Sequence, residues 1–295
     1  MTRTDSPSPS IGSIDLKKKP GSPRTLFSSF MSGVAVFCAL LALIPLVAVL
    51  SYVLIKGIPV LSPSLFFQLP PPPLTKGGGF GNAVLGTLLT VGIASLISIP
   101  FGILAGIYLS EYSDETPLEQ AVNFCVNVLS GVPSIVMGTF AYALIVIKTG
   151  TYSAVAGGVA LAVLMLPTII RTASDAMESV PSSYRQASYG LGATPVQTTL
   201  KVVFPAALPA ILTGIILAIA RAAGETAPVL FTALFNQYWN RTVWEPTATL
   251  SVLAYNFAIV PYKNQQDLAW AAALVLIVLV LITNVLARRV IRRRG

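Results

Sequence analysis

Two residues of opposite charge near the end of an apolar stretch are the best candidates for a functional site. Arg221 and Glu225 stand four positions apart in the string ARAAGETAP, a spacing that puts them on one face of a helix. A charged side chain at the centre of a bilayer costs at least ~2.5–3.5 kcal/mol, so it normally faces protein or water. Arginine binds phosphate-like oxyanions through paired hydrogen bonds. Two interpretations remain open, a structural ion pair and a site on the path of an anion.

Two further residues are candidates for the same path. Thr226 follows Glu225 directly, and Arg171 ends another apolar stretch. An arginine at the end of a membrane helix commonly anchors its topology, so Arg171 has both an anchoring and an anion-handling interpretation.

The composition sets the class of protein. Hydrophobic residues make up 54% of the 295 residues, charged residues only 10%, and the mean hydropathy is +0.76. A soluble domain carries about 25% charged residues, so the chain is predicted to be an all-α polytopic membrane protein. The net charge of +8 lies in flanks beside apolar stretches, which indicates membrane orientation and no nucleic-acid partner. With no histidine and two isolated cysteines, the sequence predicts no metal site and no cofactor.

The apolar pattern predicts six transmembrane helices. They lie at about 30–55, 82–108, 118–147, 152–170, 203–227 and 268–287, and the third is broken by Gly131-Val132-Pro133. Two apolar pieces between the fifth and sixth, 228–235 and 250–260, are too short to cross about 30 Å of hydrocarbon. We interpret them as interfacial or re-entrant segments, with a seventh span as the alternative.

The distribution of Lys and Arg predicts the orientation. Placing both termini in the cytoplasm puts thirteen of these residues inside and five outside. Residues 1–29 are then a disordered basic cytoplasmic tail, 30–290 a six-helix transmembrane domain, and 291–295 a second basic tail. The polar stretch 179–205 becomes a cytoplasmic loop.

This loop contains residues that typically begin and end two short helices. Ser182 or Ser183 can cap a helix over 184–191, which Gly192 ends. Thr194 can cap a second helix with Pro195 at its first position. The prediction is a rigid knob of two helices parallel to the membrane, and the alternative is a simple amphipathic linker.

The same loop resembles the permease signature of binding-protein-dependent ABC importers, E-A-A, three residues, G, nine residues, I-x-L-P. Here the string is Gln186-Ala187-Ser188, three residues, Gly192, nine residues and Val202-Val203-Phe204-Pro205. The spacing is intact, while Gln186, Ser188, Val202 and Phe204 depart from the pattern. The resemblance implies a type I ABC importer permease (MetI-like) fold with six transmembrane helices.

The resemblance also implies a function for the loop, which in such importers docks as a coupling helix on a separate ATP-hydrolysing subunit. The residues assigned to coupling are Tyr184, Arg185, Gln186, Ala187, Ser188, Leu191, Gly192, Ala193, Thr194, Pro195 and Pro205. The chain lacks a GxxxxGK[ST] loop, so ATP would be bound by the partner and the chain itself would not be an enzyme.

Three further strings narrow the resemblance to phosphate-specific ABC importers, and among their permeases to the PstA type. They are GNAVLGT at 81–87, SGVPS at 130–134 and LPTIIR at 166–171, together with the RAAGETAP ending. The implied partners are a PstC-type sister permease, two PstB-type ATP-binding subunits and an extracytoplasmic PstS-type phosphate-binding protein. The implied location is the bacterial inner membrane. Sulfate, molybdate or phosphonate remain alternative substrates, and a stand-alone secondary transporter is an alternative class.

Overall fold

The computed structural model describes residues 23–75, 77–113 and 116–292, and within these ranges it describes side chains from 27 to 285. The described residues form no strand; besides two short 3-10 turns between 58 and 66, they form ten helices. The helices are α1 (Pro23–Gly57), α2 (Gly81–Glu111), α3 (Pro117–Gly131), α4 (Ser134–Thr149), α5 (Ala154–Glu178), α6 (Ser182–Gly190), α7 (Pro195–Gly224), α8 (Ala227–Thr232), α9 (Leu250–Ile259) and α10 (Lys263–Arg292).

Several predicted boundaries were wrong because polar residues do not by themselves end a helix. The first helix begins at Pro23, within the stretch predicted to be a tail, and the last continues to Arg292. The rest of the two predicted tails, 1–22 and 293–295, lies outside the described residues. The helix predicted to end at Ile170 continues for two more turns to Glu178, because Ala173 and Met177 are buried on its inner face.

The core belongs to the second of two units into which the chain divides, Met1–Tyr52 and Val53–Gly295. Its centre is the pair α2 and α5, which pack closely at glycines. Gly158 lies against Ile93, Gly102 against Ile169, and Gly106 against Ala173. Because residue numbers rise together along both helices, α2 and α5 run parallel.

The parallel orientation of α2 and α5 indicates how many times the chain crosses the bilayer. Five described helices are long and apolar enough to span it, and α3 with α4 forms a sixth candidate that is bent by 110°. Two consecutive parallel helices require the chain to return from the end of α2 to the start of α5, and only α3 and α4 lie between them. Counting the bent pair as one crossing gives the six transmembrane helices predicted from the sequence, with the break at the predicted Gly131–Pro133.

Helix α7 corrects the prediction of a second short helix in the cytoplasmic loop. The helix that starts at Pro195 passes through a π-helical turn, Thr199–Val203, and continues without interruption to Gly224. Pro205 therefore lies inside a long helix and does not mark its entry. Gly214 of α7 lies against Thr172 of α5, and buried Ile211 and Ile215 join the central core.

The end of the unit opposite the loop is covered by short segments. Helix α8 has 6 residues and α9 has 10, so neither crosses the bilayer and a seventh span is absent from the described residues. Asn82 Nδ2 donates to the carbonyl of Asn236 at 2.7 Å, and the amide of Leu250 donates to Thr87 Oγ1 at 2.9 Å. These bonds fix the 233–249 loop and α9 to the start of α2.

Candidate functional site

The first candidate site is an open groove at the far end of α7. The groove has a volume of about 600 Å³, and its wall is apolar except for three side chains. Its lining residues are Ala220, Arg221, Gly224 and Glu225 from α7 and the turn that follows it, and Leu276, Ile277, Val280, Leu281 and Asn284 from α10. The polar members are therefore a cation, a carboxylate and an amide.

Arg221 and Glu225 form a loose ion pair in this groove. Arg221 Nε lies 3.5 Å from Glu225 Oε1, the arginine side chain is 60% exposed, and the glutamate is 18% exposed. No other hydrogen bond of the guanidinium occurs within the described residues, so its two Nη groups are available. Gly224 leaves the space beside the pair open, since a Cβ there would meet no heavy atom within 4 Å.

Glu225 lies just beyond the end of α7 and contacts Arg221 from there. The predicted end of this span at Ala227 was therefore wrong. Helix α7 stops at Gly224, and Glu225 is extended with φ −72° and ψ 130°. Ser251 Oγ of α9 donates to the Glu225 carbonyl at 2.9 Å and fixes the turn. Thr226, predicted to belong to the path, is absent from the groove wall and begins α8 instead.

The Arg221–Glu225 pair lies within the length of the transmembrane helices. Ala220 and Ala223 border a small cavity of about 110 Å³ that they share with Leu88 of α2. Leu88 is seven residues past the start of α2, about 10 Å along its axis at 1.5 Å per residue. Arg221 therefore sits within the apolar stretch, in the half remote from the loop around α6.

Arg171 is not part of this groove. Its Nη2 donates to Asn127 Oδ1 of α3 at 2.5 Å. The neighbouring Thr172 lies beside Gly214, seven residues before Arg221 and so about 10 Å away along α7. The structure therefore supports a link between α5 and α3 and does not bring the two arginines together.

The second candidate site is the loop around α6. Gly192 has φ +81°, a left-handed conformation that disfavours every residue with a Cβ. Thr194 and Gln197 form a capping box, in which the Thr194 hydroxyl accepts from the Gln197 amide and the Gln197 side chain accepts from Thr194 N–H. The predicted turn and the predicted cap are both present, whereas Pro181, and neither serine, occupies the N-cap of α6.

The loop presents an exposed apolar surface. Leu191 is 90% exposed, and the other large side chains of this surface are also exposed, namely Tyr184, Tyr189, Val196 and Leu200. Gln186, Ala187, Thr194 and Pro195 are exposed beside them, and Ala193 is half-buried. Tyr189 and Leu200 were missed in the sequence. Exposed apolar side chains beside polar ones are suited to contact a partner.

Ser188 explains one departure from the permease signature. It is the only buried residue of α6, and its hydroxyl lies 2.9 Å from the hydroxyl of Thr198 in α7. Both hydroxyls are buried, so each satisfies the other. The serine therefore holds α6 against the start of α7 where the signature has an alanine.

Arg185 faces into the protein, contrary to its predicted place among the partner-facing residues. It forms a paired ion pair with Glu111, the last residue of α2, with Nε–Oε2 at 3.2 Å and Nη2–Oε1 at 2.5 Å. The Glu111 side chain is only 6% exposed. The hydrogen bonds to Glu111 raise the pKa of the Arg185 guanidinium above its ordinary value, so it is charged at any physiological pH.

Besides Tyr189 and Leu200, four residues escaped the sequence analysis. Glu111 stands at the predicted cytoplasmic end of a span, a place that could have suggested a basic partner in the loop. Asn284 and the neighbouring Thr283 interrupt the last apolar stretch, which could have marked a face turned to a polar groove. Asn127 gave no signal, because its contact with Arg171 depends on the bend between α3 and α4.

Comparison with protein families gives one match that covers most of the chain. The family described as "Binding-protein-dependent transport system inner membrane component" matches residues 98–295. Among curated relatives, the phosphate transport system permease protein PstA of Yersinia pestis is 42% identical over 239 residues, covering 81% of each chain. The PstA protein of Haemophilus influenzae is 39% identical and covers 90% of this chain and 94% of its own. A probable PstA of Methanocaldococcus jannaschii is 34% identical over 82% of this chain and 85% of its own.

Solved structures share the fold at low sequence identity. A chain of the inward-facing MetNI methionine ABC transporter superposes with a TM-score of 0.62 at 20% identity, covering 80% of this chain and all of that one. A chain of a bacterial alginate ABC transporter, crystallised with its alginate-bound periplasmic protein, gives 0.66 at 13% identity over 92% and 96%. These matches agree with the fold that the sequence predicted.

Proposed function

We propose that this chain, which belongs to the family of binding-protein-dependent transport system inner membrane components and within it to the PstA-type permeases, carries inorganic phosphate through the membrane. One observation supports the proposal most strongly. A single continuous helix, α7, has the exposed loop at one end and the open arginine groove at the other. Its 30 residues extend about 45 Å at 1.5 Å per residue, so movement at one end can reach the other.

The groove would handle the anion through Arg221. The guanidinium is charged, exposed and loosely paired, so a phosphate oxygen can replace Glu225 with little loss. The Nη groups can donate two parallel hydrogen bonds to phosphate. Asn284 adds an amide at the opposite wall. These groups bind and release the ion, and no bond is made or broken.

The exposed loop would receive the force. Leu191, Tyr184 and Val196 are suited to fill an apolar groove on an ATP-hydrolysing subunit, because they are exposed on a small rigid helix–turn unit. Gly192 sets the angle of this unit. Closure of two such ATPase subunits would then displace α7 and open the path to one side of the membrane at a time.

The complete importer would contain this chain, a PstC-type sister permease, two PstB-type ATPases and a PstS-type binding protein. We place it in the bacterial inner membrane with both termini in the cytoplasm. The groove is open on the side away from the core of this chain, which leaves room for the sister permease to complete the path. The loop end of the molecule is then cytoplasmic, in agreement with the distribution of Lys and Arg.

The substrate can be tested by ATPase stimulation in reconstituted vesicles. The four-part complex is supplied in turn with purified binding proteins for phosphate, sulfate, molybdate and phosphonate. We expect only the phosphate-loaded protein to stimulate hydrolysis and to deliver its anion into the vesicle. Stimulation by a different loaded protein would reassign the substrate, and phosphate uptake by vesicles that hold this chain alone would make it a stand-alone transporter.

A further inference from the structure

The Arg185 guanidinium joins three helices at the loop end of the molecule. Through Nε and Nη2 it donates to both carboxylate oxygens of Glu111 at the end of α2. Nη1 donates to the carbonyl of Val180 at 2.7 Å, and Nη2 donates to the carbonyl of Met177 at 2.9 Å. Met177 lies in the last turn of α5, Val180 follows the end of that helix by two residues, and Arg185 itself belongs to α6. The side chain is thus shared among α2, α5 and α6.

Helix α6 has little else to hold it in place. Ser188 is its only buried residue, so the helix gains almost nothing from buried apolar area. Ser188 attaches it to α7 through Thr198, and Arg185 attaches it to α2 and α5. The position of α6 against these two helices therefore depends on a polar link and not on a packed core.

The link has the geometry of a rigid connector. A paired arginine–carboxylate contact fixes direction as well as distance, unlike a single point contact. The carboxylate is 6% exposed, so water does not loosen it. At the other end of the connection, glycines pack α2 and α5 so closely that the two helices form one body.

We propose that the Glu111–Arg185 ion pair is the positioning contact that passes movement of the exposed loop to the α2–α5 pair. The inference rests on the proposed function, in which an ATPase moves this loop. In this mechanism α6 drives two bodies: α7 through Ser188, and α2 with α5 through Arg185. Without the ion pair, ATP hydrolysis continues but the α2–α5 pair follows the loop less closely than α7 does, and phosphate transport per ATP falls.

The test compares variants of the complete complex in proteoliposomes with phosphate-loaded binding protein. Glu111→Gln and Arg185→Gln each remove one charge, and the double variant removes both. Lys201→Gln is the matched control, because it removes a positive charge from an exposed lysine of the same loop that forms no ion pair within the described residues. Phosphate delivered and ATP hydrolysed are measured in the same vesicles, and the ratio of the two is the readout.

We expect each single variant to lower phosphate delivered per ATP by about tenfold while ATP hydrolysis stays within about twofold of the unmodified complex. The double variant should match Arg185→Gln, because the contact with Glu111 is already lost in that single variant. Lys201→Gln should keep the normal ratio. A normal ratio in both single variants would overturn the proposal, as would equal losses of hydrolysis and transport.

Two further arms keep the result interpretable. If a charge-removing variant fails to assemble, Arg185→Lys retains the charge but not the paired geometry, and we expect an intermediate ratio; an unchanged ratio there would refute the mechanism. Failure of the proposed function is a different outcome, since the unmodified complex would then show no phosphate-dependent hydrolysis. If the unmodified complex transports phosphate and the Glu111 and Arg185 variants deliver the normal amount of phosphate per ATP, only this inference is refuted and the proposed function stands.

Discussion

The part of the chain that the structure describes contains two arginine–glutamate pairs, one at each end of the path that we propose, and they differ in exposure and in hydrogen bonding. Arg185 and Glu111 are 20% and 6% exposed and share two hydrogen bonds, and two backbone carbonyls accept two further hydrogen bonds from the guanidinium. Arg221 and Glu225 are 60% and 18% exposed and meet through one long contact of 3.5 Å. The same two residue types thus form a closed connector in one place and an open binding group in the other.

The difference in hydrogen bonding shows how a charged residue with a structural role can be distinguished from one with a binding role. A charge that has used its donors on protein acceptors cannot also bind a ligand. Arg221 keeps its two Nη groups available and borders an open groove, so it can exchange one anionic partner for another. Arg185 has no such freedom.

The largest expected effect is on transport in Arg221→Gln. Loss of the charge removes the only strong anion-binding group of the groove within the described residues, so phosphate uptake should fall by roughly a hundredfold. Because the side chain is exposed, the complex should still assemble. Arg241→Gln, which removes an arginine from an exposed loop, is the charge-matched control and should leave uptake unchanged. Normal uptake by a stably expressed Arg221→Gln protein would remove the arginine from the path.

A large effect is also expected at the turn beside α6. Gly192→Pro replaces φ +81° by a value near −65°, so the exposed surface no longer keeps its angle. Stimulation of ATP hydrolysis by the loaded binding protein should fall by about tenfold or more. Gly190→Ala is the control, since Gly190 is helical and a Cβ there meets no atom within 4 Å. Intact stimulation in Gly192→Pro would withdraw the coupling role from this turn.

A smaller effect should follow truncation of the exposed surface itself. Leu191→Ala removes a side chain that is 90% exposed in this chain, so it should not alter folding. Affinity for the ATPase should decrease by about fivefold or more if Leu191 is an anchor of the contact. Leu74→Ala changes a comparable leucine, 82% exposed at the opposite end, and should have no effect. Pull-down titration of the purified permease pair with the ATPase measures both; equal affinities would exclude Leu191 from the contact.

The smallest effect should separate the two ion pairs by stability. Glu225→Gln breaks a loose pair whose arginine is 60% exposed and should cost less than about 1 kcal/mol of unfolding free energy. Glu111→Gln leaves a mostly buried arginine without its carboxylate and should cost about 3 kcal/mol or somewhat less. Thermal unfolding of the two variants in detergent measures the difference. A greater loss in Glu225→Gln would reverse the assignment of the closed and the open pair.

The sequence was sufficient for features that depend on local chemistry. Length and hydropathy predicted the six crossings, Gly131–Pro133 predicted the break between α3 and α4, and the residues around Gly192 predicted a turn with a capped helix after it. Each of these is decided by residues close together in the chain.

Features that depend on distant contacts could not be predicted. The sequence predicted a second loop helix separate from the span at 203–227, yet one helix runs from Pro195 through the π-helical turn at Thr199–Val203 to Gly224. Arg185 looked like a surface residue because its partner Glu111 lies 74 positions earlier. The end of α7 at Gly224 also depends on a distant residue, since Ser251 holds the turn at Glu225.

The central claim is that α7 joins a force-receiving end to an anion-handling end. The most direct test measures phosphate uptake and ATP hydrolysis in the same proteoliposomes for Arg221→Gln and Gly192→Pro. We predict that Arg221→Gln still hydrolyses ATP in response to the loaded binding protein but delivers almost no phosphate, whereas Gly192→Pro loses the response itself. Loss of the hydrolysis response in both variants, or normal delivery by Arg221→Gln, would contradict this division of the helix.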